Sequence, residues 1–392
     1  FYEVNMIRPL VKPIRPEFSS GPCAKRPKWS LKFLNNSTLG RSHRHTIAKS
    51  KLQKVIDLTK STLKIPNDYL VGIVPGSDTG AIEIAMWNLL GPRPVNMLVW
   101  DSFSSDWAND IKSQLKLENV HIYKVDYGKL PDLTNNPLKG DIVFNWNGTT
   151  AGVCVPNANW INSSRNGLTI CDATSAAFAM DIDWSKLDVG TFSWQKCLGG
   201  EAGHGVLVLS PKAVERINSY NPPWPIPKLF QLRKNSKLNL EIFSGATINT
   251  PSMLCVEDFL DALNWTKEVG GLSGLISRSK NNLNIIKNWV SVSHWADFLC
   301  EDVNNLSSTS ICLKLTDPKI IDLPIEIKNN IEKNIIKLLE QHKVAYDIGS
   351  YRSAPPGLRI WGGPTVENED VKNLLPWLDW AYYETLDQLK IK

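Results

Sequence analysis

The sequence contains no apolar run that approaches the ~20 residues a helix needs to cross a bilayer. Its N-terminal stretch has no apolar signal core, and its seven cysteines include no CxxC pair. Because the cysteine count is odd and the spacing irregular, the pattern argues against a disulfide framework and a zinc site and favours reduced thiols. We therefore expect a cytoplasmic protein with no membrane contact and no bound metal.

Clustered charge of one sign is also missing. Lysine and arginine are interleaved with aspartate and glutamate, and the net charge over 392 residues is only +5. Nucleic-acid binding leaves a basic patch or stripe in a sequence, so no nucleic-acid partner is expected. A hydrophobic content of 42% and a charged content of 21% are those of an ordinary globular protein.

Strand-like and helical patterns alternate along the first part of the chain, which is typical of an α/β protein with a parallel sheet. Because 392 residues are too many for one simple core, a second domain is expected. We predict a large domain with a mainly parallel seven-stranded sheet flanked by helices, followed by a smaller α+β domain. The predicted segments are an N-terminal arm that contacts the small domain or a second subunit (1–60), the large domain (61–255) and the small domain (256–392). The predicted sheet strands are 69–74, 95–100, 121–125, 141–146, 168–172, 189–194 and 206–209, with a helix at 81–90 and a small-domain strand at 344–347.

The chain is organised around TFSWQKCLGGEAGHG, residues 191–205. Lys196 lies there between two strand-like runs, beside four glycines that allow close approach of the backbone. This setting predicts a buried amine that can form a covalent bond with a carbonyl group. The alternative is a surface lysine at the mouth of a hairpin, since lysine is rarely buried without a partner.

Further polar and aromatic features precede Lys196 at the ends of predicted strands. The turn PGSDTG, residues 75–80, can offer backbone N–H groups and a helix N-terminus to a phosphate, although most such turns bind nothing. Trp107, Thr149 and Asp172 follow it in chain order. Asp172 alone is more often a helix N-cap than a catalytic acid. Because the carboxyl ends of parallel strands meet at one edge of a sheet, we expect these groups to lie together.

These residue types in this order fit a site for pyridoxal 5'-phosphate. The amine of Lys196 would bind the cofactor covalently, and the carboxylate of Asp172 would pair with the ring nitrogen and keep it protonated. The Trp107 ring would stack on the cofactor, while the glycine turn and the Thr149 hydroxyl would anchor its phosphate. Lysine must be neutral to attack a carbonyl, so we expect burial to lower its pKa.

The chain resembles the phosphoserine aminotransferase family, class V aminotransferases among the fold-type I pyridoxal-phosphate enzymes. The likeness extends over nearly the whole chain and implies an aspartate aminotransferase-like fold. It rests on residues 191–205 and on the stretches FSSGPCAKRP (18–27), SHR (42–44), VPGSDTGA (74–81), CDATSA (171–176), GATINTPSMLCVEDFLDAL (245–263) and APPGLRIWGG with TVE (354–367).

The resemblance implies a role for each matching position. Lys196 and Asp172 would be catalytic, and Lys196 would also move a proton between the substrate's α-carbon and the cofactor. Arg359 would bind the substrate's α-carboxylate through two parallel hydrogen bonds. His43 and Arg44 would bind the substrate's phosphate or the side-chain carboxylate of glutamate. The cofactor-binding residues would be Asp78 and Thr79 (mainly through their backbone), Trp107, Thr149, Asp172, Gln195 and Lys196, with Asn249 and Thr250 from the other subunit of a homodimer.

The reaction that the resemblance implies is reversible amino transfer between L-glutamate and 3-phosphohydroxypyruvate. Its products are O-phospho-L-serine and 2-oxoglutarate, within serine biosynthesis. The 4-phosphohydroxythreonine pair of pyridoxal-phosphate biosynthesis is a second expected substrate pair. The chain departs from the shorter bacterial enzymes at Thr79, where they carry an arginine. Arg352 and His45 are the candidates to supply the missing cation.

Two alternatives remain open on the sequence. The first is another class V enzyme, such as a serine–glyoxylate aminotransferase or a cysteine desulfurase. A desulfurase needs a mobile cysteine, and Cys197 adjoins Lys196 on an extended stretch, where neighbouring side chains point to opposite faces. The second is a non-catalytic binding protein that keeps the cofactor fold. The presence of Lys196, Asp172 and Arg359 favours an enzyme over it.

Overall fold

The computed structural model describes residues 6–34, 38–134, 139–351 and 353–391. Within these ranges the helices alternate with strands up to residue 219 and then predominate. The α-helices are α1 (Thr46–Thr62), α2 (Ser77–Leu89), α3 (Ser102–Asn109), α4 (Pro211–Ser219), α5 (Met253–Glu268), α6 (Gly271–Val290), α7 (Ile325–Gln341) and α8 (Asn368–Gln388).

The central element is a seven-stranded sheet with the strand order β1-β7-β6-β5-β4-β2-β3. Strand β7 runs antiparallel to both of its neighbours, and the other four pairings are parallel. The predicted α/β class and mainly parallel seven-stranded sheet are therefore confirmed. The strands are β1 (Leu70–Pro75), β2 (Val95–Val99), β3 (Val120–Lys124), β4 (Asp141–Asn145), β5 (Thr169–Asp172), β6 (Val189–Ser193) and β7 (His204–Leu209).

The central strands are buried along their whole length because helices cover both faces of the sheet. Side chains that alternate along a strand enter different cores. On β7, for example, Val206 and Val208 pack in one hydrophobic cluster, whereas Leu207 and Leu209 pack in the other. This burial explains why these strands read in the sequence as continuous apolar runs.

The strand directions bring the predicted site residues to one edge. Strands β1, β2, β3, β4, β5 and β6 all point the same way, so their carboxyl ends share that edge. Asp172 is the last residue of β5, and Lys196 follows the end of β6 by three positions. Helix α2 begins two residues after β1 ends. Ligands of open α/β sheets bind at this edge.

A second sheet of three antiparallel strands lies towards the C-terminus. Helices α7 and α8 pack together, and α8 also packs against α6. The N-terminal arm contacts this part of the chain, since Trp361 N–H donates to the Phe18 carbonyl and Tyr346 N–H donates to that of Pro16. The strands are β8 (Ala296–Phe298), β9 (Ser310–Leu315) and β10 (Gly357–Trp361).

Two predicted elements differ in the structure. The helix predicted at 81–90 begins at Ser77, because Gly76 takes a left-handed conformation (φ 84°) as its N-cap and the turn residues become the first helical turn. The strand predicted at 344–347 is wrong. Tyr346 makes one isolated bridge with Glu17, and the left-handed backbone of Asp347 (φ 55°) ends the extended stretch. The boundaries of the three predicted segments remain a prediction.

None of the helices in the described ranges combines the length and apolar character that a bilayer crossing needs.

Candidate active site

A cavity of about 1050 Å³ opens at the carboxyl edge of the large sheet. Its walls come from the N-terminal arm, the ends of the large-sheet strands and the loop before β10. Eight of the predicted site residues line it: Asp78, Thr79, Trp107, Thr149, Asp172, Gln195, Lys196 and Arg359.

The loop after β6 carries Lys196 into this cavity. Gly199 has a left-handed backbone (φ 66°), and an added Cβ there would lie 2.1 Å from the Ala24 carbonyl oxygen. The loop can therefore pass this close to the arm only with glycine at that position. The Lys196 amine donates a hydrogen bond to the Ser20 carbonyl oxygen. Burial lowers the pKa of Lys196, and the nearby Arg359 lowers it further, against the opposing effects of Cys23 and Asp172.

The carboxylate of Asp172 is buried and receives hydrogen bonds on both oxygens. Trp107 Nε1 donates to Oδ2 over 3.1 Å, and the Thr174 backbone N–H donates to Oδ1 over 3.0 Å. Burial raises the pKa of Asp172, while donors and the amine of Lys196 oppose that effect. The result is an oriented carboxylate on the wall of the cavity that Lys196 also lines.

The N-terminus of α2 forms another part of the wall, through Ser77, Asp78 and Thr79. An α-helix leaves the N–H groups of its first turn without intrahelical partners, so this position is suited to an anion such as phosphate. Gln195 Nε2 donates to Ser77 Oγ over 2.6 Å, while Gln195 Oε1 is buried without a hydrogen-bond partner among the described residues. The N–H groups of the first turn of α2 are therefore the donors available to an anion at the place where the glycine turn predicted a phosphate.

Two further residues complete the wall. Thr149 donates its hydroxyl to Ser175 Oγ over 2.8 Å, which fixes its side chain. Arg359 lies on β10, with its guanidinium 5.3 Å from the centre of the Tyr351 ring. Its Nε is buried without a hydrogen-bond partner in the part of the chain that the structure describes. A guanidinium held by an aromatic face, with an N–H left over, suits a carboxylate ligand.

The structure does not bring every predicted residue to this cavity. His43 is partly exposed and Arg44 is exposed. Asn249 and Thr250 are also exposed. None of these four residues is among those that line the cavity in the described ranges.

His45 and Arg352 are the two candidates for the missing cation. His45 is the N-cap of α1, accepting from the Ile47 N–H, and is exposed away from the cavity. Arg352 lies outside the described residues. The described cavity wall does contain other cations, among them Arg15 and Lys28 of the N-terminal arm.

The sequence predicted an N-terminal arm, but not which of its residues line the cavity. Ser20 accepts the hydrogen bond of Lys196, and a Cβ added to Gly21 would lie 3.1 Å from the Lys196 nitrogen. The arm therefore covers the amine directly. The only sequence signal for this placement is the stretch FSSGPCAKRP (18–27), one of those that carry the family resemblance.

The residues present fit a pyridine ring that bears a phosphate and an aldehyde. A partly buried amine, a carboxylate with two donors, an indole and a helix N-terminus line one cavity. The unpartnered atoms Gln195 Oε1 and Arg359 Nε show that this polar wall is not satisfied by protein groups alone in the described structure. This donor set combines covalent attachment, ring-nitrogen pairing and anion binding.

Comparisons with known proteins agree with this chemistry. No protein-family model matches the chain. A phosphoserine aminotransferase of Methanosarcina mazei is 54% identical over 376 residues, which cover 96% of this chain and 99% of the relative. Among solved structures, a phosphoserine aminotransferase from Bacillus circulans subsp. alkalophilus has a TM-score of 0.76 at 19% identity and covers 94% of this chain and 99% of its own. The pyridoxal-phosphate-bound phosphoserine aminotransferase of Trichomonas vaginalis has a TM-score of 0.75 at 16% identity, covering 93% and 99%. At these identities the two structures show a shared fold.

Proposed function

The chain belongs to the phosphoserine aminotransferase family and is a pyridoxal-phosphate-dependent aminotransferase, and we propose how its own residues perform amino transfer. The reaction is reversible transfer between L-glutamate and 3-phosphohydroxypyruvate, giving O-phospho-L-serine and 2-oxoglutarate. The observation that carries the residue assignment is the placement of the Lys196 amine and the Asp172 carboxylate in one cavity.

Three residues hold the cofactor ring in this proposal. Lys196 binds it covalently through its amine. Asp172 pairs with the ring nitrogen and keeps it protonated. The hydrogen bonds that the carboxylate accepts from Trp107 and Thr174 support this role because they fix its orientation. Trp107 packs its indole on the ring while its N–H remains on Asp172.

The phosphate binds at the N-terminus of α2, through the backbone of Asp78 and Thr79. Gln195 and Thr149 supply polar side chains beside it. Asn249 and Thr250 reach the same phosphate from the second subunit of a homodimer. Their exposure on the surface of this chain supports that assignment, because side chains that complete a partner's site cannot be buried in their own.

The bound cofactor supplies an electron sink that stabilises negative charge at the substrate's α-carbon. As a free amine, Lys196 would move a proton between the substrate's α-carbon and the cofactor. The lowered pKa of Lys196 leaves a larger neutral fraction for this work than an ordinary lysine has. Arg359 holds the α-carboxylate, so that the α-proton faces the amine.

The phosphate of the substrate, or the distal carboxylate of glutamate, is bound by His43 and Arg44. Both lie outside the cavity of their own chain, so in this proposal they act across the interface of the homodimer. Thr79 contributes no charge there. The use of 4-phosphohydroxythreonine as a second substrate pair, and location in the cytoplasm, complete the proposal.

The assay that tests this function measures glutamate formed from O-phospho-L-serine and 2-oxoglutarate. We expect turnover with this pair and none that releases sulfide from L-cysteine. Cys197 is buried, is not among the described cavity residues, and has a pKa that burial raises, which disfavours the thiolate a desulfurase needs. Turnover of L-serine with glyoxylate, and not of the phosphorylated pair, would instead support the other class V aminotransferase.

A further inference from the structure

Asp78 is an acidic residue in an unexpected place. It occupies the second position of α2, is only 6% exposed, and lines the cavity where, in the proposed function, the backbone of the same turn binds the cofactor's phosphate. An ionised side chain there would repel a phosphate dianion. One of its oxygens, Oδ1, is buried without a hydrogen-bond partner in the described structure.

The carboxyl groups of Asp78 and Asp172 are both buried on the wall of the same cavity, close enough for each to shift the pKa of the other. Two carboxylates this close cannot both remain ionised, so such a pair holds one proton between its members. Burial raises the pKa of Asp78, and the neighbouring Asp172 raises it further. The amine of Lys196 opposes these effects, and the N-terminus of α2 also favours an anion.

The distribution of donors decides which carboxyl keeps the proton. Asp172 accepts an indole N–H and a backbone N–H, one on each oxygen. The Oδ1 atom of Asp78 accepts from no donor within the described ranges. Because hydrogen bonds stabilise the charged form, the negative charge belongs on Asp172 and the proton on Asp78.

We propose that Asp78 is a positioning residue that stays protonated in the folded protein and donates its proton in a hydrogen bond to Asp172. The pair then carries a single negative charge, directed at the ring nitrogen, and places none beside the cofactor's phosphate. This inference rests on the proposed roles of Asp172 and of the α2 N-terminus. The side chain of Asp78 then has a function of its own, separate from the binding of phosphate by its backbone.

Infrared difference spectroscopy of the full-length protein tests the protonation directly. At neutral pH, subtraction of the Asp78→Asn spectrum from the wild-type spectrum should show one band of a protonated carboxylic acid, both with and without pyridoxal phosphate. Asp106→Asn, which removes an exposed aspartate of α3, is the control and should show loss of an ionised carboxylate band. If Asp78→Asn also loses a carboxylate band, the proposal is overturned. Asp78→Ala gives the same readout if the asparagine variant does not fold.

Cofactor binding separates this role from simple packing. Asparagine keeps a neutral donor towards Asp172, so Asp78→Asn should raise the dissociation constant of pyridoxal phosphate by less than about tenfold, and Asp78→Ala by more than that. Tighter binding by Asp78→Asn than by wild type would mean that a charge had been removed, which contradicts a protonated Asp78. Because the infrared result is obtained without cofactor as well, it stands or falls separately from the aminotransferase assignment.

Discussion

Trp107 Nε1 donates a hydrogen bond to Asp172 Oδ2 over 3.1 Å, which joins helix α3 to the end of strand β5. The indole therefore has two functions in our account. It packs on the cofactor ring, and it fixes the carboxylate that pairs with the ring nitrogen. A phenyl ring could provide only the first.

Replacement of Trp107 by phenylalanine separates these two functions. Hydrogen bonds to charged groups contribute about 1.5–3 kcal/mol, so Trp107→Phe should raise the dissociation constant of pyridoxal phosphate by about ten- to a hundredfold. Titration of the cofactor-free protein measures it. The control is Trp87→Phe on α2, which lies outside the described cavity wall. Equal affinities for Trp107→Phe and wild type would show that the hydrogen bond has no such effect.

Two glycines in the loop after Lys196 give a matched test of close approach. Gly199 and Gly203 both have positive φ, but only at Gly199 would a Cβ overlap backbone, 2.1 Å from the Ala24 oxygen. Gly203→Ala should cost about 1–2 kcal/mol of unfolding free energy from backbone strain. Gly199→Ala should cost about 2–5 kcal/mol, because overlap adds to strain. Denaturant unfolding measures both, and equal costs would argue against the contact with the arm.

The reactivity of Lys196 should depend on pH in a defined direction. Burial lowers its pKa, so the neutral amine becomes available at lower pH than in an ordinary lysine, whose pKa is about 10.4. The rate at which borohydride traps cofactor on the stripped protein should therefore rise with pH, with a midpoint below that value. Lys196→Ala, which should retain the fold, is the control and should trap almost none. A midpoint at or above the ordinary value, or full trapping in the variant, would contradict the assignment.

Arg359→Lys tests the binding of the α-carboxylate. Lysine keeps the charge but loses the planar pair of donors, so KM for both glutamate and O-phospho-L-serine should rise by about ten- to a hundredfold. Steady-state kinetics with each substrate gives the values. Arg233→Lys, which removes a guanidinium bound to the Tyr220 carbonyl outside the described cavity wall, should leave both unchanged. An unchanged KM for both substrates would contradict the binding of the α-carboxylate by Arg359.

The sequence alone predicts the location of a site residue when that residue lies at or just beyond the end of a strand. Asp172 ends a buried strand and Lys196 follows the next one, so the parallel order alone places both at one edge, and both line the cavity. The start of α2 was predicted four residues late, because Gly76 reads as a turn but acts as a helix N-cap.

Contacts between elements distant in sequence could not be predicted in the same way. The hydrogen bond from Trp107 to Asp172 depends on how α3 crosses the sheet edge, and the pairing of Asp78 with Asp172 depends on the packing of α2. The arm residue Ser20 reaches Lys196 because the arm packs against the loop after β6, where the Cys23 N–H donates to the Gln195 carbonyl oxygen. No local pattern encodes these three relationships.

The most direct test of the account is the visible spectrum of the purified protein with pyridoxal phosphate, recorded before and after O-phospho-L-serine is added. The account predicts a yellow band of lysine-bound cofactor that Lys196→Ala lacks. This band should disappear with O-phospho-L-serine and return when 2-oxoglutarate follows, which reports both halves of amino transfer. A band that O-phospho-L-serine leaves unchanged would contradict the proposed reaction, and a protein that stays colourless with added cofactor would contradict the site itself.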